Sequence, residues 1–275
     1  MTSTPLDRVH AEPRSRAAFA QRIRVRFPYA GIVLILLCII WEVATRGGYV
    51  SSIVLPQPTA VVADLVMHWH LFLNQAAMTL MEIVTGFLAS IAVAVPLAVL
   101  LSTFRTLERM FYPIVVGSQT VPVVSIAPIL LAWFGFGLLP KMIVVILITF
   151  FPIMTNTFSG LRAMSDQTSN LARSMGASRF QLFWHFQLPG ALPNIFAGLK
   201  VAVTLAVVGA VVAEFVGSDS GLGYEIMLAG SNLNLAHQFA SVAVLSLMGL
   251  ILFTIMTRIE RFCLPWHVSM RSRHN

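Results

Sequence analysis

The sequence predicts an all-α, polytopic membrane protein with six transmembrane helices, N-in/C-in, and a folded cytoplasmic loop between the fourth and fifth spans. Three observations carry this. Of 275 residues, 57% are hydrophobic and 11% charged, with a mean hydropathy of +0.82, whereas soluble domains carry about 25% charged residues. Six stretches approach the roughly 20 apolar residues that a membrane helix needs: 28–45, 80–102, 112–133, 139–159, 193–216 and 238–258. Finally, the basic residues fall beside alternate ends of those stretches, as the positive-inside rule requires.

Residues 1–27 form a basic tail with Arg8, Arg14, Arg16, Arg22, Arg24 and Arg26. The tail is long and no small-residue cleavage site follows the first apolar run, so that run reads as an uncleaved span and not as a signal peptide. Residues 28–262 make the transmembrane domain and 263–275 a second basic tail. With the N-terminus inside, Arg105, Arg109, Arg162, Arg173, Arg179, Arg258, Arg261, Arg271 and Arg273 all become cytoplasmic. Only Arg46 and Lys141 then lie outside, and the outer segments 46–79 and 217–237 are almost free of Lys and Arg. Trp41, Trp133, Trp184 and Trp266 fall near span ends, where an aromatic belt is expected.

Within the first outer segment, residues 56–78 read as an amphipathic helix lying at the interface. His68 and His70, two apart, point to different faces of such a helix and make a poor metal pair. The third stretch is the least regular, because Pro113, Pro122 and Pro128 interrupt it. Broken helices leave backbone groups that only protein or a wet cavity can satisfy, and transporters place binding sites there; a kinked packing helix is the alternative. Candidate path or gate residues are Ser118, Gln119, Thr120, Pro122, Ser125, Pro128, Asn156 and Glu214, with Thr149 and Thr155 as further polar groups. Glu82 and Lys200 sit near predicted span ends, close enough to extend their charges to the interface. Glu214 precedes the glycine-rich run 217–221 and either lines the path or holds that loop.

Several chemistries are excluded. The net charge of +7 is spread along span ends and not gathered for nucleic acid. Cys38 and Cys263 form neither a disulfide framework nor a metal-ligand spacing. No phosphate-binding glycine loop, H-E-x-x-H or catalytic triad order appears. The chain is therefore not expected to be an enzyme or to bind a cofactor or metal directly.

Residues 160–192 form a cytoplasmic loop, and the chain is organised around the stretch 166–193. A short helix fits Gln167 to Met175, with Ser165 or Asp166 as N-cap and Gly176 as its stop. Ser178 and Gln181 spell a capping box for a second helix, closed by Leu188-Pro189, with Pro193 in the first turn of the next span. Leu171, Met175, Phe180, Phe183, Trp184 and Phe186 cannot all be buried within two short helices, so some face a partner. The alternative is a loop that only folds back on its own spans.

The run from Asn170 to Pro189 resembles the EAA loop of ABC importer permeases, a Glu-Ala-Ala, then a glycine, then a Leu-Pro. The matching residues are Asn170, Leu171, Ala172, Gly176, Leu188 and Pro189, so the motif's glutamate and first alanine are replaced. The stretches 55–65 (LPQPTAVVADL) and 212–224 (VAEFVGSDSGLGY) resemble the subgroup for sulfonates, taurine, nitrate and pyrimidine precursors. The resemblance runs from about residue 30 to the C-terminus. It implies a permease in the bacterial inner membrane that carries a small polar or anionic solute. It also implies a permease homodimer, two ATPase subunits that bind the ATP, and an extracytoplasmic solute-binding protein. In that arrangement Leu171, Met175 and Phe180 touch the ATPase, Arg173 and Arg179 pair with its acidic residues, and Ala172, Gly176, Ala177 and Ser178 shape the turn. Read from residues alone, an ion-gradient-driven secondary transporter or channel stays open as the alternative; inverted repeats and buried carboxylates would favour it.

Overall fold

The structure, a computed structural model, describes residues 26–51 and 54–265. All regular elements among them are helical. The tails at 1–27 and 263–275, with Trp266, lie almost wholly outside the described residues.

The chain divides into two units, residues 1–62 and 63–275. In the first, α1 (Arg26–Arg46) exposes Ile32 to Leu37, Ile39, Ile40 and Val43, so its apolar surface has no single core-facing stripe. A helix apolar all round suits lipid or a partner helix. Its end is fastened to the loop that follows, as Trp41 Nε1 donates to the Pro56 carbonyl at 3.0 Å. Glu42 accepts from the Thr59 backbone N–H (3.2 Å) and hydroxyl (2.9 Å), which caps α2 (Pro58–Met67). The carboxylate there satisfies one of the open N–H groups of a helix start.

The second unit is a bundle of long helices. α3 (Trp69–Thr103), α4 (Arg105–Ser118), α5 (Val123–Phe134) and α6 (Leu138–Arg162) are followed by the short α7 (Asp166–Ser174) and α8 (Arg179–Leu182). A single π-helical turn (Phe183–Gln187) then runs into α9 (Leu188–Gly217), and α10 (Leu222–Ser231) and α11 (Leu235–Cys263) complete it. Among the described residues four helical segments are long and apolar enough to cross a membrane: 69–103, 138–162, 179–217 and 235–263; the pair α4–α5 makes a fifth if counted as one span.

α3 and α6 run parallel, since Glu82 meets Lys141, Gly86 meets Val145, and Glu108, just past α3, pairs with Arg162 at the end of α6. α9 runs against both. At Gly198 an added Cβ would lie 2.6 Å from Asn156 Cβ and 2.8 Å from the Pro152 carbonyl oxygen. Only a bare backbone fits that crossing, the usual device for close helix packing in a membrane. The buried residues Ala191, Ile195, Ala202, Ala206 and Ala210 continue the same face of α9.

Of the two readings of 112–133, the structure has the broken helix and not the kinked one: α4 and α5 meet at 93° across Gln119–Pro122. Of its three prolines, Pro122 falls at the break and Pro113 and Pro128 lie inside helices. The 56–78 segment is no single interfacial helix, because the chain breaks at His68 and residues 69–78 begin α3. Leu188-Pro189 does not close a helix, and Pro193 lies within α9 and not in its first turn. At Pro189 the π turn helps the helix continue: the Leu188 N–H bonds the Phe183 carbonyl five residues back, and this wider register absorbs the donor that Pro189 lacks.

Candidate functional site: the capped loop and the opposite polar rim

The bundle has two chemically distinct ends. One carries Arg105, Arg109, Arg162, Arg173, Arg179, Arg258 and Arg261, by the directions of the helices that bear them. α7 and α8 lie at this end, and local hydrogen bonds fix their shape. Ser165 caps α7 by accepting from the Thr168 N–H at 3.2 Å, an interaction worth about 1 kcal/mol. Gly176 ends α7 with φ +85°. Its N–H donates to the Arg173 carbonyl (2.9 Å) and that of Ala177 to the Ala172 carbonyl (3.0 Å). This is a Schellman turn, which requires a left-handed residue that glycine adopts without strain. The capping box follows at once: the Gln181 N–H donates to Ser178 Oγ (3.3 Å) and the Ser178 N–H to Gln181 Oε1 (2.9 Å).

This geometry sorts the loop's side chains. Ala172 and Leu182 are buried, and Phe183 and Leu188 pack against the core cluster of Leu161, Ala191 and Ile195. Leu171 (64%), Met175 (81%), Phe180 (72%) and Trp184 (50%) stay exposed. Phe180 and Trp184 lie with ring centroids 6.0 Å apart. Asn170, Arg173, Ser178 and Arg179 are exposed as well, so polar and basic groups lie in the same segments as the apolar ones.

At the opposite end the structure gathers polar groups whose link the sequence does not show. Glu214 is fully buried; its carboxylate accepts from Thr79 Oγ1 at 2.6 Å and from the Gly223 N–H. Thr79 Oγ1 in turn accepts from the Leu222 N–H (2.8 Å), and Gln75 Oε1 from the Gly221 N–H (2.7 Å). The glycine-rich loop is thus folded over Glu214, and a Cβ at Gly221 would overlap that carboxylate. Lys141 Nζ lies 2.6 Å from Glu82 Oε1, and both are buried. Glu82 therefore does not extend to an interface: α3 begins eleven residues earlier than the apolar run does, which moves Glu82 inside the bundle. Lys200 likewise pairs with Glu260 of α11 at 2.8 Å. A cavity of about 520 Å³ opens beside the pair, lined by Glu82, Lys141, Phe136 and Ser218 to Ser220 among others.

The remaining path candidates are not brought to one place. Ser118, Gln119 and Thr120 stand exposed at the α4–α5 bend, each bonded to a carbonyl of its own helix. Pro122, Ser125 and Pro128 are exposed on or next to α5. Thr149, Thr155 and Asn156 bond back to Val145, Phe151 and Pro152 on α6. His68 and His70 do not meet: His70 stacks on Trp69, while His68 faces Asp64 and His237. The sequence reading missed His237, which no motif links to residue 64 or 68.

A bundle of long apolar helices with a sharply bent helix pair and a capped loop at its arginine-rich end fits a membrane transport subunit. The chain belongs to the family of binding-protein-dependent transport system inner membrane components, whose model matches residues 86–265. It is 36% identical to the formylaminopyrimidine transport permease protein ThiX of Halalkalibacterium halodurans, over 86% of this chain and 94% of that one. It is 33% identical to the riboflavin transport system permease protein RibX of Chloroflexus aurantiacus, over 96% and 98%. To the putative aliphatic sulfonates transport permease protein SsuC of Bacillus subtilis it is 31% identical, over 84% of each. A chain in a structure of the MetNI methionine ABC transporter, in inward-facing conformations, superposes with a TM-score of 0.57 at 20% identity, over 76% of this chain and 98% of that one. That likeness concerns the fold.

The protein is accordingly a multi-pass inner-membrane permease subunit of an ATP-binding-cassette importer. It is a transport subunit and not an enzyme, and it works with ATP-binding subunits and a solute-binding protein. Family membership decides for ATP-driven import over the ion-gradient alternative.

Proposed function

We propose that the chain forms a homodimeric permease of six spans per subunit, N-in/C-in, in which residues 166–189 seat in a groove of an ATPase subunit, two ATPases serving two permeases. The count of six takes α1 as the first span and α4–α5 as the third. The observation that carries the docking is the exposed group Leu171, Met175, Phe180 and Trp184 on a loop held by a Schellman turn and a capping box. An apolar group this exposed in the aqueous part of a membrane protein calls for a partner, and a preorganised one loses little entropy on binding. Arg173 and Arg179 supply charge for acidic ATPase residues. Asn170, standing where the related loops have glutamate, contributes no charge, so the contact is mainly apolar. ATP binding shifts the transporter only by gripping one membrane conformation better than the other.

The solute is small and polar or anionic, in the range of sulfonates, taurine, nitrate and pyrimidine precursors; relatives named for sulfonates, taurine and formylaminopyrimidine support all of that range but nitrate. The α4–α5 bend at Gln119–Pro122 and Glu214 are the candidates for path and gate. The test is co-purification with the cognate ATPase and transport into proteoliposomes carrying the solute-binding protein. Phe180→Glu should insert normally yet lose the ATPase; a fully retained ATPase would remove the docking assignment. Uptake unaffected by an excess of sulfonates or pyrimidine precursors would remove the solute assignment.

A further inference from the structure

We propose that Asp64, His68 and His237 form a binding site for a divalent transition-metal ion of the zinc class, with Glu225 orienting His237. Asp64 and His68 stand four residues apart around the break between α2 and α3, so they share a face. His237 comes from the first turn of α11, 169 residues later, and the three potential ligand atoms lie within 4.8 Å of one another. Asp64 Oδ1 is 3.0 Å from His68 Nδ1, and Asp64 Oδ2 is 2.7 Å from His237 Nδ1.

The hydrogen-bonding arithmetic of His237 points to a cation. Its Nε2 lies 3.3 Å from Glu225 Oε2, and Glu225 is buried with its other oxygen accepting from Gln75 Nε2 at 2.7 Å. Ionised carboxylates only accept, and a neutral imidazole has one N–H. A neutral His237 thus has one N–H for two acceptors, and one of its nitrogens always turns a lone pair towards a carboxylate; with the N–H on Nε2, that nitrogen is Nδ1, facing Asp64. A metal ion between them satisfies both. His68 Nδ1 lies 3.0 Å from the same carboxylate and 3.2 Å from the Asp64 backbone carbonyl, and it adds a second nitrogen ligand once it turns from that carbonyl to the ion. A metal-bound histidine whose other nitrogen donates to a carboxylate is the usual outer-shell arrangement.

Two imidazole nitrogens and one carboxylate oxygen are the donor set of a three-ligand zinc site that leaves a fourth position for water. The His68 side chain is 43% exposed, which gives that position access to solvent. Phe72 stacks on His237 with centroids 4.8 Å apart and shields the inner side. The ion would tie the junction of α2 and α3 to α11, and through Glu225 to α10, at the end of the bundle opposite the capped loop, and so brace the rim that holds the glycine-rich loop.

The test uses the full-length chain in nanodiscs, with any affinity tag removed, stripped with chelator and then dialysed against zinc. Elemental analysis should find one zinc per chain, and cobalt(II) in its place should give the visible spectrum of a four-coordinate N/O site. Asp64→Asn, which keeps the shape of the side chain, and His68→Ala should each lose the stoichiometric zinc, whereas His70→Ala should keep it. Glu225→Gln should keep the stoichiometry but bind about 10–100-fold more weakly. A wild type that holds no more zinc than Asp64→Asn and His68→Ala overturns the proposal. The contacts would then be those of an imidazolium between two carboxylates.

Discussion

Lys141 Nζ lies within 2.6 Å of both Glu82 Oε1 and Ser218 Oγ, so one ammonium group joins α3, α6 and the loop after α9. The Lys141 and Glu82 side chains are 7% and 4% exposed. Removing one member of a buried pair leaves an uncompensated charge and costs about 3–5 kcal/mol, whereas replacing both by apolar groups is close to neutral. Lys141→Met should therefore lower the thermal-unfolding midpoint in detergent markedly, and Glu82→Met combined with it should restore most of the loss. A double variant no more stable than Lys141→Met would show that the two do not act as a pair.

Gly176 offers a second test, because its φ of +85° and its surroundings separate backbone from packing. Nothing lies within 4 Å of a Cβ placed there. Gly176→Ala should cost only the left-handed conformation, about 1–2 kcal/mol, and leave ATPase coupling weakened but present. Gly176→Pro also loses the N–H bonded to Arg173 and cannot adopt the required φ. It should insert into the membrane yet uncouple ATP hydrolysis from transport, read as ATP turnover in the reconstituted complex.

The exposed side chains of the loop should behave differently from the buried ones. Met175→Glu changes a residue 81% exposed, so stability should move by no more than about 0.5 kcal/mol while ATPase affinity falls. Leu182→Ala removes a side chain 4% exposed and should cost about 2–5 kcal/mol. Thermal unfolding and co-purification measured on the same preparations would separate the two effects.

At the far end, Gly221→Ala puts a methyl group into the Glu214 carboxylate at a φ of +104°. The loop must then leave its bonds to Gln75 and Thr79. Cleavage by an added protease within 217–223 should become faster than in the wild type, with the spans themselves still protected.

Legibility in the sequence followed the range of the interactions. The caps of α7 and α8 depend on residues three to five apart, and Ser165, Gly176, Ser178 and Gln181 announce them directly. The long helices were visible as apolar runs, though their ends were not: α3 begins at Trp69 because His68 breaks the chain there, while Asn74, Gln75, Thr79 and Glu82 hide its first turns from a hydropathy reading. The contacts that assemble the far rim span 59 residues for Lys141–Glu82, 135 for Thr79–Glu214 and 173 for Asp64–His237. No local pattern carries such pairings. Pro189 misled for the opposite reason: its usual reading as a helix stop holds for an α register, and the π turn before it changes the register.

That π turn has a mechanical consequence. Because it joins α8 to α9 without a break, Arg179–Gly217 is a single rod of 39 residues, about 58 Å long at 1.5 Å per residue. One tip carries Phe180 and the other ends beside Glu214. A tilt of about 5° around its middle swings each tip by about 2.5 Å, in opposite directions, for a rod of that length. With the capped loop seated on an ATPase as proposed, such a rod would link the two ends of the bundle without a relay of side chains. Its fulcrum is the glycine-lined crossing at Gly198, halfway along, where the backbones of α6 and α9 lie too close for either to slide.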